Sequence, residues 1–283
     1  MHKVILSADS TCDLDDELIE QYAIQIQPLH IILGDKDFQD GIDINPNDIY
    51  RTYEKEGILP QTAAPNIAEY INHFKKWTDK GYEVVHISLG SGLSSAHQNS
   101  CLAAEELGNV YPVDSGNLSV GMGLLVVEAG DRIEKGMNAK DIQEEIRALK
   151  SKVNASFVID KLTYLHAGGR CSAIEAFSAN LLNIRPSIEV DNTSGIMSVG
   201  RKYRGNMQKV LKRYTNDRLS NQGNSATDRL FLTHSGISDE NIEAIKDIIE
   251  ENYFFKEVYV SRAGCTISSH CGPNTFGVMY LSK

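Results

Sequence analysis

The chain opens with KVILSA (residues 3–8), a short unbroken apolar run. Such a run fits a strand buried on both faces of a parallel sheet. After the turn DSTCD, apolar positions return at helical spacing, which predicts a helix from about Asp13 to Tyr22. Ile24–Leu33 interleaves β-branched residues with Gln and His, and reads as one strand. Asn45-Pro46 supplies a capping residue and a first-turn proline, starting a helix that ends near Gly57. Asn66 with Glu69 three residues on makes a capping box, and Gly81 closes that helix. Glu83–Leu89 reads as strand, followed by a helix to about Leu107. Val110–Val113 is strand, followed by helices to Gly136 and over Asn138–Lys152. This βαβα order predicts an α/β unit, a parallel sheet with helices on both faces.

The pattern changes after residue 152. Phe157–Ile159 reads as strand, and LTYLHAGGRCSA as a loop entering a helix. Pro186–Val190 and Met197–Tyr203 flank DNTSG and predict a hairpin. Helices follow near Asn206–Tyr214 and Asp239–Asn252, with strands at Leu230–Thr233, Glu257–Ser261 and Gly277–Leu281. Asn216–Asp228 reads as a polar surface loop. The expected organisation is therefore two domains, 1–152 and 153–283. The second is a smaller α+β unit with a mainly antiparallel sheet.

Charge narrows the function. The net charge of −10 disfavours an anionic nucleic-acid partner. No apolar run is long enough to span a bilayer, and the start does not read as a signal peptide, so a cytoplasmic location is expected. Five cysteines, with no CxxC pair, predict free thiols rather than a disulfide framework or a zinc site. Cys12, in a short loop, is the one expected to be exposed.

In a parallel sheet, the loops after the strands gather at one edge, where ligands bind. Four loops are expected there: DSTCD (9–13), QTAAPN (61–66), GSGLSSAH (90–97) and VDSGNLS (113–119). Helix N-termini in these loops offer unpaired N–H groups to an anion. GSGLSSAH matches neither the dinucleotide GxGxxG spacing, nor a P-loop ending, nor the GxSxG nucleophile elbow. Any one of its serines is most simply a helix cap, and Asp13 a cap of the following helix. His270 stands before Gly272-Pro273 and is expected in a constrained turn rather than a helix. Arg201, Lys202 and Arg204 form a small basic cluster from which one arginine could reach an anion.

Seven motifs, in order, make the chain resemble the DegV family of bacterial fatty-acid-binding proteins. They are DSTCDL (9–14), QTAAPN (61–66), SGLSSAHQNS (91–100), VDSGNLSVGMG (113–123), LTYLHAGGR (162–170), GRKYRG (200–205) and HCGPNTFG (270–277). The resemblance implies a Rossmann-like three-layer N-terminal domain with a smaller domain closing over the ligand. It implies one long-chain fatty acid such as palmitate, stearate or oleate, and no catalytic cofactor or metal. It implies that Thr62 and Ser94 hold the carboxylate, with Ser95, Arg204 and His270 as further head-group or phosphate contacts. It also implies a separate ATP-binding kinase subunit that meets Arg170 and phosphorylates the bound acid, with room for transient membrane contact.

Two other classes stand beside this reading. Ser94 could be a nucleophile, with His270 or His97 as base and Asp9 or Asp114 as orienting group, in an esterase or acyl-transfer site. A stand-alone lipid sensor would need no kinase.

Overall fold

The computed structural model describes residues 3–172, 184–220 and 228–282. Strand β1 (Val4–Asp9) leads through a short 3-10 turn (Ser10–Cys12) into α1 (Asp16–Gln21). β2 (Gln25–Gln27), β3 (His30–Leu33) and β4 (Lys36–Gln39) follow, then α2 (Pro46–Glu56), β5 (Gln61–Ala63), α3 (Ile67–Thr78) and β6 (Glu83–Ser88). α4 (Ala96–Leu107), β7 (Val110–Asp114), α5 (Val120–Glu134) and α6 (Ala139–Leu149) complete the first half. Strands β2, β1, β6 and β7 lie in that order, all parallel, as the βαβα pattern predicts. Asn45 and Asn66 cap α2 and α3 with complete capping boxes, and Gly57 ends α2 at positive φ.

The second half contains β8 (Val153–Val158), α7 (Leu162–Gly168), β9 (Ile184–Val190), β10 (Met197–Arg204) and α8 (Met207–Ser220). It continues with β11 (Arg229–His234), α9 (Asp239–Asn252), β12 (Glu257–Arg262), α10 (Cys265–Cys271) and β13 (Phe276–Leu281). The six strands order as β10-β9-β8-β13-β11-β12, antiparallel throughout except for β11 beside β12. The fold class is therefore α/β in the first half and α+β, mainly antiparallel, in the second. One apolar core runs through both halves. α5 is buried along most of its length and touches β1 and β6 of one sheet and β8, β11 and β13 of the other. A helix between two sheets must be apolar all round, and VGMGLLVV is.

Several local expectations need correction. The single strand at Ile24–Leu33 is two strands in different sheets. Pro28 offers no N–H to a ladder, so the chain breaks there. β3 then pairs with β4 across Gly34-Asp35, and with β5, in a three-stranded antiparallel sheet. QTA is thus strand rather than loop. LTYLHAG is itself a helix, and the helix expected after it lies outside the described residues. Asn216–Ser220 belongs to α8 rather than to a loop, and the rest of that polar stretch, up to residue 227, is also outside them. Cys12 is buried rather than exposed, at 1% accessibility.

The largest departure is α10. CTISSHC is poor in strong helix formers, and the Gly-Pro after it reads as a turn. It is helical because its first N–H groups find carboxylates from the other end of the chain. The Gly264 N–H donates to Asp13 Oδ1 at 2.9 Å. The Cys265 and Thr266 N–H groups donate to Asp40 Oδ1 and Oδ2 at 2.7 and 3.2 Å. The Thr266 hydroxyl adds a bond to Asp40 Oδ2 at 2.7 Å. Asp13 therefore does not cap α1; Asp15 does, accepting from the Leu18 N–H at 3.0 Å. Asp13 sits at φ 50°, and burial pushes its carboxyl up to about 8, with the nearby Asp40 charge adding to the rise.

Removing Asp40 leaves at least two buried N–H donors without acceptors. Asp40→Ala is expected to lose on the order of 2–6 kcal/mol of stability, at roughly 1–3 kcal/mol per orphaned donor. Urea denaturation measures it. A loss below about 0.5 kcal/mol, the usual size for a surface change, would contradict this account of α10.

Candidate functional site

The four predicted loops do meet. The Gly90 N–H donates to the Asn117 carbonyl at 2.9 Å, and the Ser119 hydroxyl to Asp13 Oδ2 at 2.5 Å. Asp9 Oδ2 accepts from the Leu89 N–H at 2.8 Å, and the Asn99 amide donates to the Pro65 carbonyl at 2.8 Å. Gly92 is held against the DNTSG turn, where an added Cβ would stand 2.1 Å from the Ser194 carbonyl oxygen. The glycine in this loop thus allows the second half of the chain to close onto it.

Between these loops and α10 lies a cavity with an empty volume, mouth included, of about 540 Å³. Thr62, Ser94, Arg170 and His270 line it together. The rest of the lining is largely apolar and includes Leu29, Leu89, Leu93, Leu118, Leu165, Met197, Ile267 and Cys271. β5 positions Thr62, which stands opposite Ile31 of β3. The start of α4 positions Ser94, whose Oγ accepts from the Ala96 N–H at 3.2 Å. Arg170 follows α7 and is exposed; it donates to the Gly168 carbonyl at 2.8 Å and to the Leu93 carbonyl at 3.4 Å. It joins the two sides of the cavity.

His270 lies in the last turn of α10 rather than in a loop. Its Nε2 is 2.8 Å from Thr62 Oγ1. The ring lies over Gly168, where a Cβ would come within 2.2 Å of Nδ1. The neighbouring Gly272, at φ 70°, lies against the Tyr164 ring, where a Cβ would come within 2.6 Å. The glycines of HAGGR and HCGP therefore let α7 and α10 pack in contact. Burial, and secondarily the charge of Arg170, push His270 down to about 4. The imidazole is neutral at physiological pH. Its Nδ1 has no partner among the described residues. An orphaned lone pair is cheaper to bury than an orphaned N–H, so the proton belongs on Nε2. Nε2–H then donates to Thr62 Oγ1, which frees the Thr62 hydroxyl hydrogen for a ligand oxygen.

Other expected participants stand elsewhere. Ser95 is exposed at the head of α4, and its side chain makes no capping bond. Arg204 ends the edge strand β10 and is exposed, outside the cavity lining. Tyr203 beside it is buried, and strand alternation turns Arg204 to the opposite face. The parts of a serine triad are not assembled. Among the described residues no hydrogen bond joins Ser94 to a histidine. His97 Nδ1 is 2.9 Å from Ser88 Oγ. Asp9 accepts from Tyr70 and Leu89, and Asp114 from Ser91 and Gly116. Among the described residues, no group of His, Cys, Asp and Glu is arranged to hold a metal. None of their helices is long and apolar enough to cross a membrane.

Asp40 and Gly168 were not singled out in the sequence, although both position the site. One of the two aspartates in KDFQDG carries no local signal that sets it apart. The double glycine at 168–169 did mark a close approach.

The neutral state of His270 is directly testable. The unfolded chain takes up a proton here near pH 6.5, whereas the folded chain resists until about 4. The contribution of this group to stability is therefore complete above about pH 6.5 and falls as pH drops toward 4. NMR of histidine-labelled protein without ligand should find the His270 resonance unmoved from pH 8 to about 5.5. A midpoint near the ordinary histidine value would contradict the buried, neutral assignment.

The profile of the family described as "Uncharacterised protein, DegV family" matches residues 3–283. A DegV domain-containing protein of Clostridium perfringens is 30% identical over 286 residues, with both chains fully covered. A fatty-acid-binding DegV family protein from Thermus thermophilus superposes with a TM-score of 0.90 at 25% identity, covering 99% of this chain and 100% of that one. DegV of Bacillus subtilis, described as a fatty acid binding protein, superposes at 0.86 with 26% identity and full coverage of both chains.

Proposed function

The chain belongs to the DegV family, and on that premise we propose that it binds one long-chain fatty acid rather than catalysing a reaction itself. The carboxylate lies at Thr62 and Ser94 and the tail is buried in the apolar part of the cavity. The observation that carries this reading is the polarity of the cavity. Three hydroxyls, of which that of Thr266 is already bonded to Asp40, one neutral imidazole and one guanidinium line it together with a largely apolar wall. That distribution suits an amphiphile with a single anionic head. The two similar structures of fatty-acid-binding relatives support the same ligand class.

The magnitudes assign the roles. About 14 buried methylenes at roughly 0.8 kcal/mol each give on the order of 11 kcal/mol before the costs of ordering. One charge-assisted hydrogen bond adds roughly 1.5–3 kcal/mol. The tail provides most of the affinity, and the hydroxyls decide which end faces out. Thr62 donates its free hydroxyl hydrogen, Ser94 donates a second, and Arg170 at the surface supplies positive charge.

The exposed position of Arg170 beside the head group also supports presentation of the acid to a separate ATP-binding kinase subunit, which would phosphorylate the carboxylate to an acyl phosphate. That chemistry needs ATP and places the carrier in the cytoplasm. Arg204 and Ser95, both exposed, would act only on such a docked partner and not in ligand binding. We read residues 1–152 and 153–283 as two units that close on the ligand from either side.

Native mass spectrometry of the purified protein, followed by organic extraction, tests the reading. About one fatty acid per chain is expected. The double variant Thr62→Ala, Ser94→Ala should bind oleate more weakly by a factor of roughly ten to a few hundred, the equivalent of one to two lost head-group bonds. A protein that arrives empty and ignores added palmitate and oleate would contradict the proposal.

A further inference from the structure

Beneath the loop that carries Ser94 lies a row of buried polar side chains, none of them in the cavity lining. Ser7, Asp9, Tyr70 and His86 are fully buried, and His73 nearly so. They come from β1, α3 and β6. Asp9 receives the Leu89 N–H on Oδ2 at 2.8 Å and the Tyr70 hydroxyl on Oδ1 at 2.7 Å. His86 Nε2 stands 3.3 Å from the same Oδ1. His86 Nδ1 is 2.9 Å from Ser7 Oγ, and Ser7 Oγ is 2.9 Å from His73 Nε2. The Gln25 carbonyl is hydrogen-bonded to His73, and with Nε2 taken by Ser7 that bond falls to Nδ1. The rings of Tyr70 and Phe74, centred 5.3 and 5.1 Å from that of His86, shut out water.

Hydrogen counting fixes the charge of this row. It runs between two acceptors, the Gln25 carbonyl and the Asp9 side chain, through His73, Ser7 and His86. Each of its four links needs one hydrogen. Burial, above all, pushes His73 down to about 3, so that ring is neutral. A neutral His73, a hydroxyl and a neutral His86 carry one hydrogen each, which leaves one link with lone pairs facing each other in a space without water. Both Asp9 oxygens already accept, so the missing hydrogen belongs on His86. His73 then donates to Gln25, Ser7 to His73, and His86 to both Ser7 and Asp9. An imidazolium buried in this way is tolerable only beside a carboxylate. Ser7 receives a hydrogen from His86 rather than giving one, the reverse of a hydrolase triad, so the arrangement holds and does not react.

We propose that Asp9 and His86 form a buried carboxylate–imidazolium pair, and that they are positioning residues for the loop that holds the ligand head group. The proposal rests on the fatty-acid reading above. Asp9 fixes the Leu89 N–H just where β6 ends and the GSGLSS turn begins. Leu89 lines the cavity, and the same turn delivers Ser94 to it. The pair touches no ligand atom and acts through the Ser94 hydroxyl.

Two readouts test this. Ring-nitrogen NMR of the ligand-free, histidine-labelled protein at neutral pH should find both His86 nitrogens protonated and one His73 nitrogen bare. In Asp9→Asn the amide itself supplies a hydrogen to His86 Nε2, and His86 should turn neutral. Equilibrium binding of oleate should weaken about tenfold in Asp9→Ala, the size of one lost head-group bond, and less in Asp9→Asn. In a Ser94→Ala background the Asp9→Ala change should cost less than about twofold, because the group it positions is gone. A bare nitrogen on wild-type His86 would overturn the proposal. So would unchanged oleate binding in Asp9→Ala, or a loss that persists in full without the Ser94 hydroxyl. The NMR comparison with Asp9→Asn stands even if Asp9→Ala fails to fold. All of these results leave the fatty-acid reading intact, whereas a wild-type chain that binds no oleate would overturn that reading and the positioning role with it.

Discussion

Asp13 and Asp40 accept the first N–H groups of a seven-residue helix that lies 225 to 251 residues further along the chain. Everything at the site depends on that capping. An isolated helix of seven residues would not form in water. Here the Asp13 and Asp40 side-chain oxygens accept from its first donors, and burial removes water as a competitor. With its N-terminus fixed, α10 presents His270 at its other end to Thr62, and Ile267 and Cys271 to the cavity. The same contact joins the last part of the chain to the first. The glycines at 168 and 272 then let α7 approach α10 without a clash.

The resulting cavity is electrically mild. His270 is kept neutral by burial, and Thr62 and Ser94 are hydroxyls. Among the described residues, the one formal charge in the lining is Arg170, held at the surface. A preformed buried cation would be costly to keep without a ligand. Hydroxyls and a neutral imidazole cost less when unoccupied and still give a carboxylate directional donors when it arrives. Affinity then comes from area and orientation from the hydrogen bonds. The cavity is thus matched to an amphiphile, and among the described residues no base is arranged to activate Ser94.

The periodic elements were legible because their signals are local. Asn45, Asn66 and Gly57 mark helix ends by chemistry acting within one turn, and the apolar run of β1 needs no distant partner to be read. The convergence of three of the loops, those after β1, β6 and β7, also followed, since parallel sheets gather such loops by construction; QTAAPN reaches them from the antiparallel sheet instead. What escaped was long-range. α10 was missed because its caps come from Asp13 and Asp40. β5 was missed because three residues of QTA are strand only when β3 lies beside them. Pro28 and Gly34-Asp35 did carry a break and a hairpin signal, which the apolar alternation of Ile24–Leu33 obscured. Thr62 and Ser94 were anticipated through the family motifs and share one cavity. Arg204 was not delivered to it, because strand alternation set its direction independently of charge. The apolar lining could not be assembled at all without coordinates, since Leu29, Leu118, Met197 and Ile267 come from separate segments.

The most direct measurement is a crystal structure of the chain loaded with stearate. The account predicts the carboxylate within hydrogen-bonding distance of Thr62 Oγ1 and Ser94 Oγ, with α10 still capped by Asp13 and Asp40. A stearate lying outside the cavity, or one inserted with its carboxylate away from Thr62 and Ser94, would contradict it.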